Sequence, residues 1–232
     1  MKKTFLKIGL LLAFGLTIVV FNSCEKDNDN GGVNVETITA TDVINSSSQI
    51  VTVKVNLVYR KTETDNYFDF YPIAETQYKN NGFTLKLPAT IDDKYLAPFY
   101  DEDVSEITVS DKTVKIVIVS HWVLKAYDVD DNEIGCFGYW SKIPSFEDEN
   151  CTETVRYYVD KNVTINGQTK YVYENEGCVT ENINNFNNLT LKKGWNICYI
   201  NDTYTSNQST KTYTRTFSNQ KPSEVTLKWY FK

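Results

Sequence analysis

The chain has few residues of the types that act as catalytic bases, nucleophiles or zinc ligands. His121 is its only histidine, which excludes a zinc site built on a histidine pair. No cysteine or serine nucleophile motif adjoins His121, and the Gly-x-Ser-x-Gly motif of the α/β-hydrolases is absent. We therefore interpret His121 as a structural residue in the core or at a sheet edge, and we expect no catalytic residue.

Carboxylates are the other candidates for chemistry. Acidic clusters occupy residues 101–103 and 147–149, within segments that have the polar composition of loops. A glycosidase needs two carboxylates about 5–10 Å apart across a cleft, and the sequence does not exclude such a pair. Acids in polar loops are usually solvated, so a carboxylate-dependent hydrolase is an alternative and not the first hypothesis.

Asp128, Asp130 and Asn132 match the first, third and fifth positions of a calcium-binding loop. Glu133 stands where that loop requires glycine, and Tyr139 stands where it requires a bidentate glutamate. A hairpin turn explains the same residues without an ion. We therefore expect no metal site. Because the sequence has no phosphate-binding glycine loop and no dinucleotide fingerprint, we also expect no cofactor.

Four cysteines follow Cys24, and their spacing bears on metal and disulfide chemistry. No two of them lie two to four residues apart, as structural zinc sites prefer. An exported chain can form disulfides, and four cysteines allow three pairings. We favour the pairing that closes two short loops, and the alternative is that the thiols are buried and free. The favoured pairs are Cys136 with Cys151 and Cys178 with Cys198.

Four aromatic residues are candidates for stacking on a sugar ring. Phe137, Tyr139 and Trp140 lie together before a predicted loop, and Trp195 follows a predicted hairpin turn. Exposed aromatic clusters mark binding sites. The alternative is core packing, which we favour because large aromatic side chains dominate sandwich interiors and because Phe137 and Tyr139 share one strand face.

The elements that would position these residues are predicted to be β-strands. Tyr, Phe, Thr and Val are abundant, which suits pleated strands, and no window has a sustained helical period. Residues 49–60 alternate apolar and polar side chains with period two, as a half-buried strand does. Further strands are predicted at 67–74, 83–87, 114–127, 134–140, 154–159, 163–165, 169–173, 189–191, 195–199, 210–217 and 225–231, with hairpin turns at 79–82, 166–167 and 192–194.

This spacing of strands and turns predicts an all-β fold, an antiparallel β-sandwich of immunoglobulin-like or transthyretin-like type. We expect it to occupy residues 36–232, as one continuous domain or as two stacked β units divided near residue 145. Residues 116–119 do not alternate, so both faces of the strand at 114–127 are expected to be covered. A loop is expected at 184–188, where asparagines cluster.

Residues 1–23 have the architecture of a secretory signal peptide. Three lysines precede an apolar run at residues 8–21, which is shorter than the roughly 20 residues of a membrane span. The acidic segment that follows has no apolar residue at 25–32, so residues 24–35 are predicted to be a flexible tether. Removing the three lysines of the leader takes the formal net charge from −6 to −9, which disfavours nucleic acid and anionic lipid as partners.

Residues 20–24, Val-Phe-Asn-Ser-Cys, resemble the lipobox of Bacteroidetes lipoproteins, which directs a diacylglycerol onto the cysteine thiol. The acidic residues after it resemble the surface-export signal of the same lipoproteins. Segments similar to a group of uncharacterised outer-membrane lipoproteins of gut Bacteroidetes are 81–88, 132–135, 158–165, 191–196 and 227–231. The resemblance implies a lipid on Cys24 and a protein anchored at the outer membrane. It would face the cell exterior, with the periplasmic face as the alternative.

Three functions remain open from the sequence. The first is a non-enzymatic, membrane-anchored surface lipoprotein that binds a glycan or an envelope or host protein. The second is a structural component of the cell envelope in which exposed strands pair with other subunits, and residues 114–127 are the first candidate for such a strand. The third is the carboxylate-dependent hydrolase.

Overall fold

The structure, a computed structural model, describes residues 36–59, 69–99, 106–144, 150–175, 178–207 and 209–232. These residues form fifteen strands and one short 3₁₀ turn, Asp93–Tyr95, and none of them lies in an α-helix. The predicted all-β, sandwich-like fold class is confirmed. Within the described ranges, no helix is long and apolar enough to cross a membrane.

In chain order the strands are β1 (Thr37–Ala40), β2 (Thr52–Tyr59), β3 (Asp69–Gln77), β4 (Phe83–Lys86), β5 (Ala97–Pro98), β6 (Ile107–Val109), β7 (Lys115–Val119), β8 (Leu124–Tyr127), β9 (Glu133–Trp140), β10 (Cys151–Val159), β11 (Val163–Asn175), β12 (Cys178–Leu191), β13 (Gly194–Ser206), β14 (Thr210–Ser218) and β15 (Lys228–Phe231).

The first half of the fold is a sandwich of two sheets. β1 pairs with β4, while β2 lies between β3 and β8 in a larger sheet that continues into β9. β2 shows the predicted alternation, because Val53, Val55 and Leu57 are fully buried. These side chains belong to a first hydrophobic cluster together with Ile38 and Leu85 from the two-stranded sheet. The sandwich is therefore held by burial of the inner faces of both sheets.

The turn at residues 79–82 has the predicted two-residue hairpin geometry. Lys79 and Gly82 exchange backbone hydrogen bonds of 2.9 and 3.0 Å, and Asn80 and Asn81 have positive φ angles of 53° and 57°. Such angles suit asparagine and are typical of a type I′ turn. The flanking strands then separate, since β3 pairs with β2 and β4 pairs with β1.

The second half of the fold is one curled sheet. Its strands lie in the order β10-β13-β14-β12-β11-β6, and β7 pairs with the other side of β10. Only residues 110–114 join β6 to β7, so the two ends of this sheet come together. The sheet encloses a second hydrophobic cluster that includes Val114, Ile165 and Leu191. Among the described strands, only β12 and β14 pair in parallel.

Strand β10 joins the two halves. It pairs with β13 along its whole length, while its other side pairs with β7 at residues 156–159 and with β9 at Glu153. Every residue of β10 is buried. Tyr158 belongs to the first cluster, whereas Val155 and Tyr157 belong to the second, so both faces of the strand are covered. Residues 33–232 form one compact unit that contains both clusters.

The strand predicted at residues 114–127 is two strands in the structure. A turn separates β7 from β8, and in it the backbone N–H groups of Val123 and Leu124 both donate to the Ser120 carbonyl. β7 pairs with β10 and β5, whereas β8 pairs with β2 and β9. This apolar segment therefore crosses from one half of the fold to the other, and β7 is not the exposed edge that we considered from the sequence.

Three predictions in the C-terminal third are wrong, two because the strands run on through local turn signals and one because of the order of the strands. Residues 166–167 lie inside β11, at a register shift against β12, and residues 184–188 lie inside β12. The turn at 192–194 does join β12 to β13, but these two strands are not paired with each other. β14 lies between them, so the connection is not a hairpin.

Candidate functional site

An open cleft of about 890 Å³ lies where the two halves of the fold meet. Its walls come from the turn between β7 and β8, from β9, from the start of β10 and from the middle of β12, β13 and β14. This volume is within the usual range of small-molecule sites, about 300–1,000 Å³. The cleft is therefore the candidate site in the part of the chain that the structure describes.

Strand register explains why one face of the curled sheet is apolar at one end and polar at the other. Residues that stand opposite each other across paired strands point to the same face. One row across β10, β13, β14 and β12 is Glu153, Ile200, Phe217 and Phe186. The next row toward the cleft, which extends into β11, is Cys151, Asp202, Arg215, Asn184 and Thr169. The floor of the cleft thus follows the boundary between the second hydrophobic cluster and this polar row.

Glu153 is buried because it stands in the apolar row, and its side chain is only 9% exposed. Its Oε2 accepts a hydrogen bond from Trp140 Nε1 at 3.2 Å and lies 3.0 Å from His121 Nδ1. Burial by itself would raise the pKa of the Glu153 carboxyl. The hydrogen bond and charge of His121, together with the hydrogen bond from Trp140, instead lower that pKa below its ordinary value. The carboxylate is therefore ionised at neutral pH, and His121 Nδ1 is the donor.

His121 and Trp140 are held in place by close packing. Their rings meet edge to face with centroids 5.0 Å apart. The indole of Trp140 lies over Gly138, where an added Cβ would collide with the ring, so glycine is required there for the indole to reach Glu153. Among the described residues, Nε2 of His121 has no hydrogen-bond partner. This nitrogen is therefore open to a ligand.

Arg215 and Asp202 form an ion pair on the cleft wall. Nε of Arg215 lies 2.7 Å from Oδ1 of Asp202, and Nη2 lies 2.8 Å from Oδ2, which is a bidentate arrangement. The hydrogen bond to Asp202 raises the pKa of Arg215, and the negative charge of Glu153 raises it further, against the opposing effect of partial burial. Both charges are thus satisfied within the protein.

Trp122 is the exposed aromatic side chain at the rim of the cleft. It follows His121 in the turn between β7 and β8, and 71% of its surface is accessible. The two rings lie 4.8 Å apart, so the indole is next to the histidine on the cleft floor. An exposed indole beside a cleft offers a flat apolar face against which a bound ligand can pack.

The four aromatic residues considered as stacking candidates are buried or half-buried in the structure. Phe137 and Trp140 are 0% and 1% exposed. Tyr139 packs against the first hydrophobic cluster, and Trp195 donates its indole N–H to the Pro88 carbonyl at 2.7 Å. Phe137 and Trp140 therefore have no accessible face on which a sugar could stack, whereas Tyr139 and Trp195 are half-buried. The core-packing alternative describes these side chains.

The favoured disulfides are not formed, since all four of these cysteines are free. Cys136 and Cys151 both line the cleft, but they lie at different levels of the two strands. Trp140 stands opposite Glu153, so position 142 of the neighbouring segment stands opposite Cys151, and Cys136 is six positions away from it. That offset is about 20 Å along the strand, well beyond the ~7 Å Cα separation that a disulfide tolerates. Burial raises the pKa of both thiols.

Cys178 and Cys198 are also far apart along their strands. Cys178 begins β12, whereas Cys198 lies near the middle of β13, opposite Val155. Cys198 belongs to the second hydrophobic cluster, and burial raises the pKa of its thiol to about 12. A thiol in such surroundings is unreactive, as the free-thiol alternative implies.

Sequence reasoning missed several residues of the cleft, among them Glu153, Trp122, Asp202 and Arg215. Trp122 falls inside a predicted strand, and the polar Ser120 that interrupts the apolar run is the signal that could have revealed the turn. Asp202 and Arg215 are separated by 13 residues and come together only through the pairing of β13 with β14. Sequence spacing alone gives no sign of that pairing.

Several predicted features lie outside the described residues and stay predictions. They are Cys24, the tether at 24–35 and the acidic clusters at 101–103 and 147–149. Within the described ranges, no group of three or more His, Cys, Asp or Glu side chains is placed to hold a metal ion. In comparisons with known proteins, the chain matches no family model, no curated protein and no solved structure.

Proposed function

We propose that this chain is a non-enzymatic binding module and that its ligand is a neutral, hydroxyl-rich glycan. The observation that carries the proposal is the exposed Trp122 at the rim of a cleft whose walls bear hydrogen-bonding side chains. A flat indole packs against the apolar C–H face of a sugar ring, while the sugar hydroxyl groups need donors and acceptors around them. A cleft also suits a sugar chain better than a protein partner, which needs about 800 Å² of surface on each side.

The charges on the cleft walls favour a neutral ligand. Arg215 is bound by Asp202, and Glu153 is held by His121 and Trp140. A charged ligand would compete for one member of a pair and leave the other charge unpaired in a partly buried site, which is costly. A hydroxyl group avoids this cost, because it can hydrogen-bond to a carboxylate or guanidinium that keeps its partner.

Open acceptors on the walls fit the hydroxyl groups of a sugar. The side-chain amides of Asn182 and Asn184 donate to Tyr173 Oη at 3.5 Å and to Thr169 Oγ1 at 3.0 Å. Neither amide oxygen accepts a hydrogen bond from a described residue. Together with Nε2 of His121, these oxygens can orient a ring that rests on the rim indole.

Calorimetric titration tests the proposal. Residues 33–232 are titrated with neutral oligosaccharides of glucose, xylose and mannose, and with sulfated and uronic-acid oligosaccharides as the charged comparison. We expect at least one neutral series to bind and the charged series to bind more weakly or not at all. Trp122→Ala should reduce the affinity about tenfold or more, which corresponds to about 1.4 kcal/mol.

A matched control distinguishes the loss of the Trp122 indole from a general effect of removing an exposed aromatic ring. Phe70 in β3 is 64% exposed and does not line the cleft, so Phe70→Ala should bind like the wild type. Absence of binding to every neutral oligosaccharide, or equal affinities for Trp122→Ala and the wild type, would overturn the proposal.

A carboxylate-dependent hydrolase is the second candidate, because Glu153 and Asp202 line the same cleft. They are diagonal neighbours on β10 and β13, so that two carboxyl groups belong to one wall of the cleft, as a glycosidase requires. The electrostatics oppose this function. A general acid needs a raised pKa, whereas the pKa of Glu153 is lowered, and Asp202 is engaged by Arg215. When an oligosaccharide is incubated with the protein, chromatography should recover the intact oligosaccharide. Cleavage products that form with the wild type but not with Glu153→Gln would instead show that the protein is a hydrolase.

The anchoring that we propose is a lipid on Cys24, which would hold the module at the outer membrane with the cleft accessible from the cell exterior. Its support is the resemblance of residues 20–24 to the lipobox of Bacteroidetes lipoproteins. Protease treatment of intact cells, with a periplasmic protein as the control, tests the orientation. Loss of the domain while the control survives is expected. Survival of the domain until the outer membrane is opened would contradict the outward orientation and favour a role in envelope assembly.

A further inference from the structure

Part of one edge of the long strand β11 has no partner strand within the ranges that the structure describes. β12 covers one side of β11 along its length, whereas β6 covers the other side only at residues 165–167. Among the described strands, none pairs with the rest of that side, residues 168–175. Such an edge presents backbone N–H and C=O groups that can accept another strand.

The side chains along this edge favour pairing. Tyr171, Val172 and Tyr173 are all more than half exposed, and aromatic and β-branched residues suit a strand. No proline lies within residues 168–175, and their register with β12 is regular. A lysine can protect an edge, but Lys170 is bound to Glu181 at 2.7 Å on the neighbouring strand.

We propose that a second copy of this chain occupies the edge, in antiparallel pairing about a two-fold axis at Val172. When a strand pairs with its own copy in this way, residues equidistant from the axis stand opposite each other. Tyr171 then faces Tyr173 of the second copy, and Lys170 faces Glu174 of the second copy. By symmetry each pair occurs twice.

Charge complementarity selects this register and this partner. Opposite charges and aromatic pairs directly across two strands are favourable, and like charges there are unfavourable. Only a two-fold axis at Val172 places Lys170 of one copy directly opposite Glu174 of the other copy. The paired segment is short, so the contact is expected to be weak and to appear at high protein concentration. It does not depend on the proposed glycan function.

Sedimentation velocity tests the dimer, using residues 33–232 over a hundredfold range of concentration up to about 1 mM. We expect a reversible monomer–dimer equilibrium. Val172→Lys places two like charges on the axis and should abolish the dimer. Val129, a turn residue that is 80% exposed, supplies the matched control, and Val129→Lys should dimerise like the wild type.

A charge exchange tests the register. Lys170→Glu and Glu174→Lys should each weaken the dimer about tenfold or more, because like charges then face each other, and the double variant should restore it. Thermal melting of each variant checks that the hairpin remains folded, since Lys170 also binds Glu181. A strict monomer at the highest concentration, a dimer that persists in Val172→Lys, or a double variant without recovery would each overturn the proposal.

Discussion

Glu153 determines the chemistry of the cleft at the scale of single residues. It stands in an apolar row, and it stays charged there because His121 and Trp140 both donate to Oε2. Burying a carboxylate without such donors costs several kcal/mol or forces protonation. His121, which this carboxylate holds, directly precedes Trp122 in the turn between β7 and β8. One buried charge therefore connects the floor of the cleft to its rim.

The buried carboxylate should make stability depend on pH. The folded-state pKa of Glu153 is lowered, so its contribution to the free energy of unfolding is complete above the ordinary pKa of 4.5. That contribution is lost as the pH falls through the lower folded-state value. Glu153→Gln has no carboxyl to titrate and should lose this part of the pH dependence. Urea unfolding of residues 33–232 between about pH 3 and pH 7 measures it.

Glu106 offers a control for this measurement, because it is an exposed residue in a turn. Glu106→Gln should keep the acid dependence of the wild type. If the wild type and Glu153→Gln lost stability equally steeply with falling pH, the buried carboxylate would not be ionised as we infer.

The sequence could predict that aromatic residues matter, but not which ring reaches water. Trp140 and Trp122 both fall within predicted strands, yet Trp140 is 1% exposed and Trp122 is 71% exposed. The difference comes from the turn at Ser120, which no periodicity indicates, and from Gly138, which makes room for one indole. Burial of an individual ring depends on long-range pairing that a local pattern does not contain.

At the scale of elements, β10 shows how strongly strand position affects a side chain. Thr152 and Thr154 point to the same face of this buried strand. Oγ1 of Thr152 donates to Asn201 Oδ1 at 3.0 Å, whereas Oγ1 of Thr154 has no hydrogen-bond partner among the described residues. An unsatisfied buried hydroxyl lowers stability, while a bonded hydroxyl contributes to it.

The same substitution at these two positions should have opposite effects. Thr154→Val removes an unpaired polar group and should leave stability unchanged or raise it by up to about 1 kcal/mol. Thr152→Val removes the hydrogen bond to Asn201, an exposed residue whose amide oxygen water can then reach, and should lower stability by about 0.5–1.5 kcal/mol. Urea unfolding measures both. A loss for Thr154→Val as large as that for Thr152→Val would show that the Thr154 hydroxyl is bonded in the folded protein.

Local signals predicted most strands and the turn at 79–82, but not the partners of the C-terminal strands. Residues 192–194 carry good turn chemistry, which led to a hairpin prediction. β14 returns from further along the chain and inserts between β12 and β13, parallel to β12. Turn residues specify a local reversal of the chain, whereas the order of strands depends on side chains that lie tens of residues apart.

At the scale of the whole molecule, the cleft exists because two sheet systems share β10. The sandwich supplies the turn with Trp122 and the strand with Trp140, and the curled sheet supplies the polar row with Asp202 and Arg215. Neither half contains the complete set of groups. The proposed glycan site therefore depends on the junction between the two sheet systems.

The four tryptophans give the most direct test of the cleft as the glycan site. Trp122 and Trp140 line the cleft, whereas Trp195 and Trp229 donate their indole N–H groups to backbone carbonyls elsewhere in the fold. In a proton–nitrogen correlation NMR spectrum of residues 33–232, titrated with the tightest-binding neutral oligosaccharide, each indole gives its own signal. We predict that the Trp122 and Trp140 signals shift and saturate together while the Trp195 and Trp229 signals stay in place. Shifts confined to Trp195 or Trp229, or no indole shift with any neutral oligosaccharide, would contradict a glycan site in the cleft.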